Sequence, residues 1–328
     1  MSSRAAFRQF LDELTHPAWE HRFLAAKRLA GETGPAEFAG LTPAQRAETT
    51  RTLLLMLEDA TAQVRSQAAA ALGRLGCREA AERLVTALAD PHEWVRVQVG
   101  EALARLGTPD LAPMVAHHLE TEEDPHVRAT LVMTLGQIGD GKMLPVLALR
   151  LEDADSRVRA NSVEAIGLLK IPPADRQKAL ARVAGDANNR VRANLAISLV
   201  EAGEVRGREI LQDMLSSKDE YMRASAAYAL GHLGKAGDVP RLVELLADPS
   251  WLVRKNAGNS LFKHGTRALP RVTAALSSPE SHVRLGALEV IGRLRDASVR
   301  QAVIALLEDE QGEVRSKAEE VLDRLDGF

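Results

Sequence analysis

The sequence predicts an all-α protein built as an α-solenoid of about ten stacked helix pairs, and three observations support this prediction. Alanine and leucine make up roughly a third of the 328 residues, whereas aromatic residues account for 3%, a composition that favours helices. One segment recurs along the chain, as in LEDATAQVRSQAAAALGRLG and LADPSWLVRKNAGNSLFKHG. The arginine of this segment returns every 30 to 33 residues. Such units bury their apolar faces only by stacking on their neighbours.

The repeat arginine locates each unit. It stands at Arg65, Arg96, Arg128, Arg159, Arg192, Arg223, Arg254, Arg284 and Arg315. A degenerate first copy, HPAWEHRFLAAKRLAG, places Arg22 in register, and its spacing of 43 residues to the next arginine indicates an insertion. We therefore expect one solenoid over residues 1–328, with a degenerate unit at 1–31, an inserted loop at 32–42 and regular repeats at 43–328.

Each unit is predicted to contain two antiparallel helices, and residues at the helix ends support this. Thr42 and Gln45 form the pattern of a capping box in the first complete unit, and prolines such as Pro240 and Pro270 begin first helices. N-cap residues open the second helix at Thr61, Asp124, Asp155, Asn188, Asp219 and Ser250. Glycines that predict left-handed C-caps end it at Gly76, Gly107, Gly139, Gly203, Gly234 and Gly265.

The motif of an acid, then VR, then AAxALGxLG resembles the short HEAT-like repeats first named from phycobilisome lyases. The resemblance extends over practically the whole chain, from about His16 to Leu325. It implies a right-handed α-solenoid of HEAT-like helix pairs. It does not imply one function, because relatives of this repeat include lyase subunits, a di-iron hydroxylase and adaptor proteins.

The repeat arginine is predicted to be structural. A helical wheel places Leu72 and its apolar equivalents on one face of the second helix, with Arg65 beside them. We expect each arginine to pair with the acid six residues earlier, such as Asp59, which seven units keep and Ser217 and Ser278 replace. The resemblance likewise implies an Asp–Arg ladder. A buried pair in each unit explains the arginine row better than a phosphate-binding track does.

The opposite side of the second helix is the predicted partner-binding stripe, which the family geometry would place on the concave surface. Its candidate residues are Thr130, Met133, Gln137, Arg157, Asn161, Glu164, Arg190, Asn194, Ile197, Glu201, Tyr221, Tyr228, His232 and Asn256. Alanines just after the arginine are expected to form a floor with little steric bulk, and the amide or hydroxyl groups that follow are expected to pair with a partner's main chain. The alternative is an ordinary solvated surface. Two interpretations remain for the tryptophans Trp19, Trp94 and Trp251. Each packs across a turn or contacts a ligand.

Residues with the chemistry of a metal or catalytic site are sparse. His92–Glu93 is the only adjacent His–Glu pair, whereas the hydroxylase relatives need several. His117 and His118 project about 100° apart on a helix, which is poor geometry for one ion. The sequence contains no phosphate-binding glycine loop and no nucleophile elbow. We therefore expect no metal and no cofactor.

The net charge of −3 at pH 7 provides no strong field for nucleic acid, so we expect a protein or peptide partner. The sequence shows neither a secretory signal nor a membrane span, and the single cysteine suits a reducing compartment. These features predict a cytoplasmic protein, and the excess of arginine over lysine suggests a bacterial source. We expect a monomeric, non-catalytic scaffold or adaptor. The alternative is a phycobilin-lyase-like subunit or another modifying enzyme.

Overall fold

The computed structural model describes residues 4–31 and 33–327, in which every regular element is helical. The predicted all-α fold is therefore confirmed. The chain divides into two compact units, Met1–Val183 and Ala184–Phe328. Positions 1–3, 32 and 328, which the predicted boundaries include, lie outside the described residues. Among the described helices, none combines the length and apolar character that crossing a membrane requires.

The first unit contains five helix pairs, a short inserted helix and a final first helix. Its helices are α1 (Arg4–Leu14), α2 (Trp19–Ala30), α3 (Gly34–Ala39), α4 (Pro43–Met56), α5 (Ala62–Leu75), α6 (Ala81–Thr86), α7 (Glu93–Leu106), α8 (Ala112–Thr121), α9 (Pro125–Ile138), α10 (Leu144–Arg150), α11 (Ser156–Leu168) and α12 (Pro173–Leu180). The segment expected to be an inserted loop at 32–42 thus contains helix α3. Its Thr33-Gly-Pro sequence favours this helix, because proline is suited to a first helical turn.

The second unit begins with a second helix and continues with four pairs. Its helices are α13 (Asn189–Glu201), α14 (Val205–Leu215), α15 (Glu220–Leu233), α16 (Val239–Glu244), α17 (Trp251–His264), α18 (Leu269–Ala274), α19 (Ser281–Leu294), α20 (Arg300–Ile304) and α21 (Gly312–Leu325). Several first helices end in a 3₁₀ turn, such as Leu245–Ala247 after α16. The residue after that turn, Asp248, has an extended backbone, so the chain turns sharply into the second helix.

Most of the predicted helix caps are confirmed. The Thr42–Gln45 capping box is present in full, and the predicted N-caps at Asp124, Asp155, Asn188 and Asp219 accept main-chain N–H hydrogen bonds. Thr61 and Ser250 occupy N-cap positions without such a bond. Five of the predicted glycines have positive φ, whereas Gly139 is extended with φ −79°. Gly139 instead serves close packing, because a Cβ there would lie 2.6 Å from the Met143 side chain.

The core of each unit follows the predicted wheel. Val64, Ala68 and Leu72 on α5 are fully buried, as expected for the face that packs on the first helices. Successive second helices approach closely, because a Cβ added to Gly73 would lie 2.6 Å from the Cα of Ala102. Within each compact unit, a second helix therefore packs against its first helix and against a neighbouring second helix, as α5 does against α4 and α7.

One buried position on α17 carries a histidine. His264 stands at the register that holds Leu75, Leu106 and Leu294 in other units, and only 2% of it is exposed. Burial lowers the pKa of His264, and the Arg267 guanidinium lowers it further, whereas Asp238 acts in the opposite direction. The folded protein therefore favours the neutral imidazole.

We expect the unfolding free energy to fall as the pH is lowered from about 7.5 to 5.5, through and below the ordinary histidine pKa of about 6.5. A group whose pKa is lower in the folded state stabilises the protein at pH values above its unfolded pKa. This stabilisation is lost as the pH falls, by up to about 1.4 kcal/mol for each unit by which the pKa is lowered. His264→Leu, which restores the residue of the other units, is expected to reduce this loss. Urea denaturation of the wild type and of His264→Leu at the two pH values measures the loss of unfolding free energy. Equal losses in the two proteins would contradict the prediction.

Candidate functional site

The repeat arginines form an ion-pair ladder whose partners differ from the prediction. Arg65 donates hydrogen bonds from Nε and Nη2 to Asp90, 25 residues later, at 2.5 and 2.9 Å. Its Nη1 donates to the main-chain oxygen of Asp59 at 2.8 Å. The expected pairing with the side chain six residues earlier is therefore wrong. The Asp59 carboxylate is instead held by Arg22 of the preceding repeat, so Arg65 pairs with the carboxylate of the following repeat.

The same connection, from the arginine of one repeat to the acid of the next, recurs within both compact units of the chain. The pairs are Arg22–Asp59, Arg65–Asp90, Arg96–Glu122, Arg128–Asp153, Arg223–Asp248 and Arg284–Asp309, at N–O distances of 2.5 to 2.8 Å. Burial opposes ionisation of Asp90, but hydrogen bonds from Arg65 and from the main chain of His92 hold its pKa below the ordinary value. Within each compact unit the ladder therefore joins one repeat to the next, and the structural interpretation of the arginine row is supported.

Two ladder arginines meet a serine where the next acid would stand. Arg192 faces the Ser217 substitution and pairs instead with Asp213 on α14. For Arg254, Ser278 stands at the position in the sequence where the next acid would be. The Nη1 of Arg254 donates to the main-chain oxygens of Asp248 and Pro249 at 2.8 and 2.9 Å, and no carboxylate of the described residues lies within salt-bridge distance of it.

The stripe residues of the first unit are only partly available to a partner. Gln137 and Glu164 are exposed, whereas Thr130 and Met133 are half-buried. Arg157 is held by Asp155 through two hydrogen bonds, at 3.0 and 2.7 Å, and the pKa of Asp155 is well below its ordinary value chiefly because of that contact.

The alanines and asparagines of the stripe are engaged within the chain, which limits what they can offer a partner. Ala129, Ala160, Ala193 and Ala224 are all buried. Asn161 donates from Nδ2 to the main-chain oxygen of Ala129 at 3.0 Å, and Asn256 donates in the same way to Ala224 at 2.9 Å. Neighbouring second helices cover these positions from the side, which a wheel drawn for one helix does not show. Half-buried Asn194 likewise has an interaction within the chain.

The stripe residues of the second unit present aromatic groups. Tyr221 and Tyr228 are 57% and 46% exposed, and Lys263 Nζ lies 4.9 Å from the Tyr228 ring centroid. His232 lies beside the same ring, at 6.2 Å between centroids, and 4.0 Å from exposed Glu201. Arg190 is also exposed. The expectation of an exposed Ile197 is wrong, since it is 9% exposed and packs into the core.

A groove of about 450 Å³ lies on the second helices α17, α19 and α21 of the second unit. Its lining includes Trp251, Leu285, Val290 and two glycines, Gly258 and Gly286. Its cationic side chains are Arg254, Lys255, Arg293 and Lys317, and its carboxylate is Glu289. The groove therefore concentrates positive charge on a chain whose net charge is −3.

Sequence reasoning placed the candidate site on the middle units and did not include this groove. One signal for it was present, since Ser278 replaces the ladder acid and leaves Arg254 without its usual partner. The groove itself requires knowledge of how three second helices lie side by side. That arrangement is a property of packing rather than of any one segment.

The tryptophans are not buried by the turns. Trp94 is 36% exposed, and its ring centroid lies 5.7 Å from that of His92. Trp19 lies edge-on to Phe23. Trp251 is 62% exposed, with Lys255 Nζ 5.4 Å from its ring centroid. Of the three, Trp251 is the one that lines the groove.

Metal-binding side chains do not converge in the described part of the chain. No group of three or more histidine, cysteine, aspartate or glutamate residues there could hold an ion. The rings of His117 and His118 are 6.3 Å apart. Cys77 is buried against Thr50, and burial raises the pKa of its thiol, which makes it a poor nucleophile at neutral pH.

Comparison with known proteins identifies the repeat. A profile of HEAT repeats matches residues 50–129, 114–199, 176–261 and 239–323. No curated protein matches the chain. Kap95p, solved in complex with RanGDP, is similar in structure with a TM-score of 0.55 and 13% identity, and the match covers 98% of this chain and 50% of Kap95p.

Two further solved structures are similar over almost their whole length. The CpcE–CpcF complex of phycocyanin lyase from Nostoc has 17% identity and a TM-score of 0.46, with 97% of this chain and 94% of that chain covered. An engineered protein has 20% identity and a TM-score of 0.40, with 98% of each chain covered. On the repeats that its sequence carries from residue 50 to 323, the chain belongs to the HEAT-repeat family.

Proposed function

We propose that the protein is a non-catalytic scaffold or adaptor that binds a protein or an extended peptide through its second helices. The HEAT-repeat fold is suited to this role, because stacked units present extended surfaces. The observation that carries the proposal is the exposure of Tyr221 and Tyr228 on one helix, α15.

Exposed aromatic rings on a helix face are typical of binding anchors. Tyrosine combines a large apolar area with a polar hydroxyl, and it is enriched among residues that dominate binding energy. Around Tyr228, Lys263 and His232 add polar groups that could receive a partner's acceptors. In the first unit, exposed Leu168 with Gln137 and Glu164 offers a second, smaller surface of the same kind.

The half-buried asparagines of the stripe are unsuitable positions for testing this proposal. Because Asn161 and Asn256 hold neighbouring helices together, replacing them would disturb packing as well as binding. Tyr221 and Tyr228 are exposed, so changing both to alanine is expected to leave the helix content and the melting temperature nearly unchanged.

We expect the Tyr221→Ala/Tyr228→Ala protein to bind its partners with an affinity at least about tenfold lower, a loss of only about 1.4 kcal/mol of binding free energy. The measurement is affinity purification from the native lysate followed by quantitative mass spectrometry. The matched control is Leu149→Ala, which removes an equally exposed apolar group from the first helix α10. Equal recovery of every protein by the double variant and the wild type would contradict the proposal.

A further inference from the structure

We infer that the groove on α17, α19 and α21 binds an acidic, extended peptide segment, with one Asp or Glu carboxylate held by Arg254. This inference rests on the proposed protein-binding function and specifies the chemistry of the partner. It is carried by the ladder itself, by the charge of the groove and by the exposed ring at its edge.

The ladder shows which ligand an arginine in this register binds. Arg65, Arg128 and Arg223 each fix Nη1 on main-chain oxygens and use Nε and Nη2 to hold an Asp carboxylate. Arg254 has the same Nη1 contacts, yet Ser278 stands where the acid of the next unit would be. The Nε and Nη2 groups of Arg254 are therefore preorganised for a carboxylate of a bound partner, since two parallel N–H donors match that group.

The rest of the groove supports an anionic segment rather than a single small ion. Lys255 and Arg293 have no carboxylate within salt-bridge distance among the described residues, whereas Lys317 contacts Glu320 at 2.9 Å. Arg293 is held in place by Asn259 at 2.7 Å and by stacking on Phe262, 4.1 Å from its ring centroid. Several fixed cations along one groove can pair with successive acidic side chains.

The apolar surfaces favour a peptide over a nucleic acid. Half-buried Leu285 lines the groove and exposed Trp251 stands at its side, whereas Val290, which also lines it, is only 1% exposed. A peptide that alternates acidic and apolar residues can satisfy both kinds of surface. Glu289 would repel a continuous row of phosphates but can accept an N–H from a peptide main chain.

The test uses fluorescence anisotropy with a labelled peptide of about ten residues, long enough at about 3.3 Å per residue to cross three helices. The peptide alternates Asp or Glu with Leu, and its neutral counterpart carries Asn and Gln. We expect the full-length protein to bind the acidic peptide at least about tenfold more tightly than the neutral one, a difference of about 1.4 kcal/mol, and more weakly as salt is raised.

Ser278→Asp supplies Arg254 with an internal carboxylate and is expected to weaken acidic-peptide binding at least about tenfold without unfolding the protein. Ser217→Asp makes the same change at the ladder position facing Arg192, outside the groove, and is expected to leave binding unchanged. Binding that is equal in Ser278→Asp and wild type, absent in wild type, or as tight for the neutral peptide or a single-stranded oligonucleotide would overturn the inference. If this result occurs while the Tyr221/Tyr228 variant still loses its partners, the inference fails and the proposed function stands.

Discussion

Replacing Arg128 by alanine is expected to lower the unfolding free energy by about 3 kcal/mol, because it leaves a buried carboxylate without its partner. Arg128 donates two hydrogen bonds to Asp153, at 2.8 and 2.9 Å. The Asp153 side chain is 6% exposed, so water can replace little of the lost interaction. Urea denaturation followed by circular dichroism measures the change.

Two further variants separate the ion pair from other contributions of the arginine. Arg315 stands at the same register in the last repeat but is exposed, and within the described residues it donates only to the main-chain oxygen of Asp309. Arg315→Ala is therefore expected to cost about 1 kcal/mol or less. Adding Asp153→Ala to Arg128→Ala removes the unpaired carboxylate and is expected to recover part of the loss. A loss in Arg128→Ala no larger than that in Arg315→Ala would show that the ladder does not stabilise the first unit.

Gly136→Ala and Gly258→Ala are expected to change stability in opposite directions, although both glycines lie inside second helices. A Cβ at Gly136 would lie 2.6 Å from the Cα of Ala165 on the next second helix, where main chain must move to accommodate it. We expect a loss of about 1 to 3 kcal/mol. A Cβ at Gly258 would meet only Val290 Cγ2, at 3.8 Å, so the better helix propensity of alanine is expected to add up to about 1 kcal/mol.

Thermal and urea unfolding of the two variants beside the wild type measure this difference. The pair tests the spacing of the second helices, since intrinsic helix propensity alone predicts that both alanines stabilise the protein. Stabilisation by Gly136→Ala would mean that α9 and α11 lie further apart than the structure places them.

Local sequence was enough to predict the repeat, the helix pairs and most helix ends. The Thr42–Gln45 box and the Asp124 cap depend on contacts within a few residues, so their geometry follows from the sequence around them. The glycine at Gly139 shows the limit of this reasoning. Its φ is −79° rather than left-handed, and a Cβ there would clash with the Leu135 main-chain oxygen and lie 2.6 Å from the Met143 side chain.

The candidate site was predicted less well, because a helical wheel treats one helix in isolation. It assigned Ile197 and the alanines at the Ala160 register to an open face, yet neighbouring elements bury them. It also identified Tyr221 and Tyr228 as surface residues, and the structure confirms that both are exposed. The wheel was therefore correct for side chains that remain exposed, and it failed at positions where neighbouring second helices pack against each other.

The sequence by itself determined the period, the helical composition and the residues of each unit, because apolar spacing and capping act within one repeat. Only the tertiary structure decided which unit each arginine serves. The sequence favoured Asp59 as the partner of Arg65, but the stacking of repeats brings the carboxylate of Asp90 to its Nε and leaves the main-chain oxygen of Asp59 for Nη1. The cationic groove around Arg254 likewise depends on three helices lying side by side, since charges distant in sequence form one site only when packing brings them together.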